Sequence, residues 1–536
     1  MAISVNSDVV LDHDRSAEIY ASMQSNRSGT EKNAVKLRWL LLVAGVGFVY
    51  LYTSLFGLTG TPVFRPGDQD FFWTYGSRLL SGQVFLRDFH QFTPPGTDLV
   101  YEAVFRVFGA GVQSFDWTIL CVGLALALVC FVVALQIMRA EAAALAALLC
   151  LALLYGDRMD ATHHWFSAIT NLPAILVLMR GRSYLRIAVA AGLVSVAAFF
   201  TQTTGAMGLL ACCTGLWWEH RMGGSSWRTM WLRWATLVAG TFAAWLALSW
   251  RFIARAGVST YWDAQVAYLP KDANFPSGFL IPPFNWPGSL LGWISATDHL
   301  AVYLLLLSIC PWVAALCMRR GHEMGENSVA LSLLASLGIL QTIEMITMLN
   351  WNRMAAVAMP AVILGTWLIG RIGPAKRRVM VGCWCVAGAM MLVQPAVTQL
   401  HRYPLAHLPT GTALLQEEEA EEVEWLIGHT HPGDCFFEAA NTRYYVPLAL
   451  RNPTPADVLS TRDITLPQWV DESVEDLQAC PVRYILWSPH SGIGRVETRG
   501  DRLDPLRAYM RRDFTRVQTF ANGDEMWGPV KGQTAR

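Results

Sequence analysis

Long apolar runs recur as far as Leu400, and the short polar connections between them alternate in charge. A helix spans a bilayer with roughly 20 apolar residues, and with fewer where neighbouring helices shield it. On that criterion about eleven runs qualify. They are Trp39–Leu58, Trp117–Met138, Ala140–Tyr155, Phe166–Met179, Leu185–Phe200, Gly205–Trp218, Met230–Ile253, Leu300–Met318, Val329–Leu349, Met354–Ile369 and Val379–Leu400.

Basic residues beside span ends favour the cytoplasmic side. With the N-terminus inside, the inner connections hold Arg139, then Arg180, Arg182 and Arg186, then Arg221, Arg228 and Arg233. Arg319 and Arg320 follow, and then Arg371, Lys376, Arg377 and Arg378. The outer connections hold Asp68, Asp70 and Asp88, then Asp157 and Asp160, then Asp263 and Asp272, and finally Asn350 to Arg353. Losing one span would invert every later connection. Losing an adjacent pair would not, so parity is firmer than the count. The expected fold is a polytopic α-helical membrane protein with about 11 transmembrane helices, N-terminus in and C-terminus out.

Composition agrees. Of 536 residues, 53% are hydrophobic and 15% charged, against about 25% charged in soluble domains. Net charge is +0, so nothing marks a nucleic-acid partner, which calls for a basic face. Residues 1–35 are polar and read as a disordered cytoplasmic terminus. Lys36 and Arg38 precede an apolar run without a small-residue cleavage site, which reads as an uncleaved anchor. Residues 36–400 form the membrane domain, with outer loops at 59–116 and 254–299.

Residues 401–536 read as a soluble α/β domain on the outer side. Glu417-Glu418-Glu419 opens a helix to about His429, and Asp471–Gln478 reads as a second. Asp434–Glu438 and Val482–Trp487 read as strands. Asn522-Gly523 marks a hairpin between Val517–Phe520 and Glu525–Trp527. Most cysteines fall in apolar runs, where they act as small hydrophobes. Cys435 and Cys480 lie in the tail. An extracytoplasmic tail permits a disulfide between them, and the alternative is two buried thiols.

Chemistry concentrates in the first outer loop. From Asp70 to Leu80, and again around Val100, Val104, Val107 and Phe108, aromatic and apolar residues take helical spacing. Both stretches suit helices lying in the interface plane, broken by Gly82 and by Pro94-Pro95-Gly96. Together they would hold carboxylates just outside the bilayer, where a lipid headgroup meets a polar partner.

An aspartate after the first span, a surface helix ending Leu79-Leu80-Ser81-Gly82, then Arg87-Asp88-Phe89, then Pro94-Pro95-Gly96 and a helix ending Phe108-Gly109 make a pattern. It resembles the bacterial lipid-dependent glycosyltransferases of the GT-C superfamily, related to protein O-mannosyltransferases and the lipid A aminoarabinose transferase. The match covers Gly67 to Gly109, and beyond it only topology agrees. In Phe200-Thr201-Gln202-Thr203-Thr204-Gly205, Thr201 stands where the family often has Lys. Asn350-Trp351-Asn352-Arg353 lacks the family's Asp and His before a late proline.

The resemblance implies a sugar leaving a polyprenyl-phosphate donor for an acceptor hydroxyl on the extracytoplasmic face, usually with inversion, in the inner (plasma) membrane of a cell envelope. It implies an aspartate as general base, matched by Asp68 with Asp70 beside it. The phosphate leaving group needs positive charge or a metal. Arg78, Arg87, Lys271 and Arg353 are the basic candidates. No cofactor is required, although some relatives use a divalent metal, which Asp68 or Asp70 with Asp157 or Asp160 would hold. The acceptor, whether glycan, lipid or protein, is open.

Each candidate has a plainer reading. Asp68 is otherwise a solvated loop carboxylate, Asp70 a helix cap, and Asp88 with Arg87 a surface pair. In the turn 157–165, one of Asp160, His163 and His164 faces the substrate, or the turn is interfacial with Trp165 as an anchor. Adjacent histidines point to different helix faces. Glu344 lies inside a span near its outer end, which makes it a functional candidate. Lys271 sits in the proline-rich loop at 254–299. The alternative classes are a transporter or flippase and a ligase of lipid-linked glycans. Missing repeats and nearly charge-free spans argue against transport.

Overall fold

The computed structural model describes residues 33–267, 290–325, 327–345, 351–439, 441–459, 465–480, 482–489 and 502–530. A helix forms over each apolar run. In chain order they are α1 (Asn33–Leu55), α4 (Val112–Ala134), α5 (Ala140–Leu149), α6 (His163–Met179), α7 (Tyr184–Phe200), α8 (Gln202–Arg221) and α9 (Trp227–Ala256). After the short α10 (Val258–Trp262) come α11 (Leu290–Met324), α12 (Asn327–Met345), α13 (Trp351–Val357), α14 (Met359–Ile369) and α15 (Lys376–Leu400). Two further helices, α2 (Gln69–Leu80) and α3 (Gly96–Phe108), occupy the first loop.

Six helices are long and apolar enough to cross a membrane among the described residues, so the chain is a multi-pass membrane protein. These six lie in α1, α4, α9, α11, α12 and α15. The others are shorter or more polar, and several are enclosed. In α5, Ala142 to Leu149 are all buried, and the π turn Cys150–Tyr155 prolongs it. Alanine lets neighbouring backbones approach closely, and a helix shielded by protein has no lipid thickness to match. The run Met354–Ile369 is two helices, because Pro360 lacks an amide hydrogen and starts α14 anew.

In the first loop, α2 and α3 lie side by side. A Cβ on Gly76 would sit 2.7 Å from Tyr101 Cβ and 3.1 Å from Asp98 O, so only glycine admits this approach. A Cβ on Gly96 would sit 2.5 Å from Phe199 O, which seats the start of α3 on the end of α7.

The tail forms β1 (Leu405–Leu408), β2 (Gly411–Leu414), α16 (Glu417–His429), β3 (Phe436–Glu438), α17 (Pro467–Ala479), β4 (Tyr484–Trp487), α18 (Asp504–Asp513), β5 (Phe514–Thr519) and β6 (Glu525–Pro529). Its main sheet runs β3-β4-β6-β5. β3 and β4 are parallel, as a helical crossover requires, and β5–β6 is the antiparallel hairpin. Cys435 and Cys480 are joined in a disulfide.

The tail does not stand apart from the membrane domain. Phe64 N–H donates to Leu414 O at 2.8 Å, so the loop after α1 extends the β1–β2 pair. One buried cluster runs from α1 through Trp73 to Phe436, Tyr444 and Met526. Arg78, on α2, forms an ion pair with Asp457 at 3.1 Å, and both side chains are buried.

Candidate active site

Asp68 is exposed at the N-cap of α2, and its carboxylate makes no cap hydrogen bond. It sits at a helix start, where backbone amides give a positive potential. Asp70 is its opposite. It is 2% exposed, and its Oδ2 accepts from Gly67 N–H at 2.9 Å. Burial pushes its carboxyl well up, with Glu438 adding to the rise and Arg443 opposing it. The expected catalytic neighbour of Asp68 thus closes the loop beneath it, because two residues are about half a turn of helix and carry its side chain to the tail side.

The turn between α5 and α6 brings Asp160 beside Asp68. Gln69 accepts from Ala161 N–H at 3.3 Å and donates Nε2–H to Arg65 O at 2.9 Å. Tyr101 OH donates to Ala161 O at 3.0 Å. Asp160 Oδ1 accepts from Trp165 Nε1–H at 2.7 Å and from Thr162 Oγ1 at 3.1 Å. Burial pushes the Asp160 carboxyl up to about 7, and the Asp68 charge adds to the rise. Trp165 is 2% exposed, so it holds Asp160 in place and is not an interfacial anchor.

Beyond this pair lies a small cavity. His164, Thr204, Gln341, Glu344 and Arg353 supply its polar lining. Thr203 Oγ1 donates to Glu344 Oε1 at 2.6 Å. Arg353 interacts electrostatically with Glu344 first and Asp68 second, which links the cavity to the exposed carboxylate. His163 and His164 do not diverge. Their ring centroids are 3.8 Å apart, because His163 opens α6 after an extended Thr162. Thus Asp68, Asp160, His163, His164, Glu344 and Arg353 gather at one end of the bundle.

Other candidates lie elsewhere. Arg78 is held by Asp457 and donates Nη2–H to Thr454 O at 2.5 Å. That buried network ties α2 to the tail and leaves the guanidinium no face for a phosphate. Arg87 is paired to Asp88 at 2.9 Å, and Asp88 Oδ2 also accepts from Val84 N–H at 2.7 Å. The Arg87 hydrogen bond draws the Asp88 carboxyl below its ordinary range, as a turn-closing group requires. Lys271 lies outside the described residues. Thr201 links helices: it receives the Ser167 hydroxyl at 2.9 Å and donates to His163 O at 3.3 Å.

Sequence reasoning passed over a buried amide chain next to the site. Gln91 Nε2–H donates to Thr93 Oγ1 at 2.7 Å and to Asp98 Oδ1 at 3.3 Å. Gln265 reaches the Gln91 and Thr93 carbonyls, and Gln202 reaches Gln265 O at 3.0 Å. Asp98 is fully buried, and burial pushes its carboxyl well up. The one signal was an acid in the first turn after a Pro-Pro-Gly break. Of the acids that would hold a metal, Asp68 and Asp160 are the two that come together. Asp70 turns inward, Asp157 lies 2.8 Å from His299 Nε2, and no three acidic, histidine or cysteine side chains converge among the described residues.

No family model matches this sequence, and no characterised protein matches it by sequence. Solved structures do. ArnT from Cupriavidus metallidurans bound to undecaprenyl phosphate aligns with a TM-score of 0.59 at 13% identity, covering 93% of this chain and 99% of that one. The archaeal oligosaccharyltransferase AglB from Archaeoglobus fulgidus, in complex with an inhibitory peptide and a dolichol-phosphate, aligns at 0.53 and 11% identity, covering 94% and 75%. The chain shares its fold with these two structures. The likeness to ArnT runs over nearly the whole of both chains.

Proposed function

We propose that this protein transfers a sugar from a polyprenyl-phosphate donor to an acceptor hydroxyl, with inversion, at the extracytoplasmic face of the inner membrane. About eleven spanning helices, N-terminus in and tail out, complete the reading. The observation that carries it is the exposed Asp68 carboxylate, set at a helix start within electrostatic reach of Arg353 and Asp160. Both structural relatives hold a polyprenyl-type phosphate, undecaprenyl phosphate in ArnT and dolichol-phosphate in AglB.

The chemistry follows from the residue types. Asp68 accepts the acceptor's proton as its oxygen attacks the anomeric carbon. The bond to the phosphate oxygen breaks, and that oxygen keeps the electron pair. Arg353 faces the charge that grows on the leaving phosphate. A single displacement inverts the anomeric centre. His164, Thr204 and Gln341 line the space where sugar hydroxyls would need partners.

The test is transfer by the purified protein in nanodiscs from a panel of polyprenyl-phosphate sugars. The parent transfers from at least one, and Asp68→Asn loses about 10²–10⁴-fold in rate, the usual contribution of a positioned base. Full transfer by Asp68→Asn would remove Asp68 from the chemistry.

A further inference from the structure

A second cleft, of about 210 Å³, opens between the end of α2, the loop after it, α3 and the end of α9. It shares no residue with the cavity beside Asp68. Leu80, Phe85 and Phe252 supply apolar wall, and Glu102, Arg106, Arg251 and Arg255 supply charge. Glu102 is already satisfied by Arg106 at 2.5 Å. Arg251 and Arg255 are exposed and have no ion-pair partner among the described residues. Four residues apart, they lie on one face of α9. The cleft therefore carries two uncompensated guanidinium groups at the end of a helix apolar enough to span the membrane.

We propose that this cleft binds the phosphodiester headgroup of an anionic membrane phospholipid. Three observations converge on that ligand. Two adjacent guanidinium groups match phosphate oxygens in bidentate geometry. The face of α9 leading to them is open to lipid: Leu248, three residues before Arg251 and seven before Arg255, is 38% exposed, so acyl chains have apolar surface below the headgroup. The volume lies under the roughly 300–1,000 Å³ of whole-ligand pockets, which suits a headgroup whose chains lie outside the cleft. The inference rests on α9 lying in a membrane and not on the chemistry of Asp68.

The full-length protein, reconstituted in nanodiscs of mixed phosphatidylcholine and phosphatidylglycerol, tests this by native mass spectrometry of retained lipid. The parent keeps phosphatidylglycerol over phosphatidylcholine by on the order of tenfold, as two basic groups at a membrane surface allow. Arg251→Gln with Arg255→Gln abolishes the preference, whereas Arg377→Gln with Arg378→Gln, at the other end of the bundle, keeps it. In the unmodified protein, a phosphatidylglycerol with a photoreactive group near its phosphate labels residues 79–85 and 251–255. That arm is read even if the double variant fails to fold. Equal retention of both lipids by the parent, labelling elsewhere, or displacement by equimolar undecaprenyl phosphate would each overturn the proposal, the last by assigning the cleft to the donor.

Discussion

The Gln69 side chain accepts the backbone N–H of Ala161 at 3.3 Å, so the neighbour of Asp68 holds the neighbour of Asp160. The same amide donates to Arg65 O, which leaves Gln69 3% exposed with both ends engaged. This bond sets the spacing of the two carboxylates, and neither carboxylate makes it.

Gln69→Ala therefore acts on rate. The Ala161 amide loses its acceptor, the turn relaxes, and Asp160 moves relative to Asp68. A displacement of about 1 Å costs on the order of a hundredfold in rate. The expected result is kcat down by that order with donor KM little changed. Gln69→Glu keeps an acceptor for Ala161 and recovers part of the loss. Equal kcat in Gln69→Ala and parent would show that the turn holds without this bond.

Arg78 and Asp457 make a contrasting case. Breaking a buried pair leaves one charge stranded, at a cost of about 3–5 kcal/mol. Arg78→Ala should therefore lower the unfolding temperature and the folded yield, while surviving protein keeps its donor KM. Replacing both members with apolar residues should restore much of the stability, because no charge is then left unpaired. A raised KM with unchanged stability would instead return Arg78 to the substrate.

The contrast marks how far the sequence could be read. Helix positions were legible because an apolar run in a membrane protein has few other fates. The gathering of Asp160, His163, Glu344 and Arg353 was foreshadowed by parity, since one side of the membrane was assigned to all of them. Parity says nothing about rotation around a helix axis. Asp68 and Asp70 are two residues apart and face opposite ways, and Arg78 reads the same whether it meets a phosphate or Asp457. Trp165 illustrates the same limit: interfacial tryptophans and buried ones that hold a carboxylate carry the same local pattern. The partners of Arg78 and Phe64 lie more than 300 residues away in the tail, beyond any local spacing.

Asp160 also predicts how stability depends on pH. Burial raises its carboxyl to about 7 from 3.8, and Glu422 in the tail rises to about 7 from 4.5 for the same first cause. Between those limits the folded chain keeps protons that the unfolded chain has released. Stability is therefore greatest at the acid end of that window and falls as pH rises through about 7. Asp160→Asn retains an acceptor for Trp165 and cannot ionise. It should flatten the decline and be the more stable form at about pH 8, by at most about 4 kcal/mol for a three-unit shift. Thermal unfolding across that range, parent against variant, measures the difference. Parallel curves would mean that Asp160 titrates as an ordinary carboxylate.

The Cys435–Cys480 disulfide offers a direct test of orientation. It closes a loop with a sequence separation of 45, and a loop of that length stabilises a fold by about 4 kcal/mol in the chain-entropy account. Such a bond persists only in an oxidising compartment. With the tail outside, intact cells treated briefly with a reductant and then with a membrane-impermeant maleimide should carry label on both cysteines. Without reductant they should carry none. The other described cysteines lie in the helices of the bundle, at Cys121, Cys130, Cys150, Cys212, Cys213, Cys310, Cys317, Cys383 and Cys385, so peptide mapping separates the two groups. Serine at both 435 and 480 should lower the unfolding temperature of the tail. Label on Cys435 and Cys480 only after lysis would place the tail in the cytoplasm and invert every connection, moving Asp68, Asp160 and Arg353 with it.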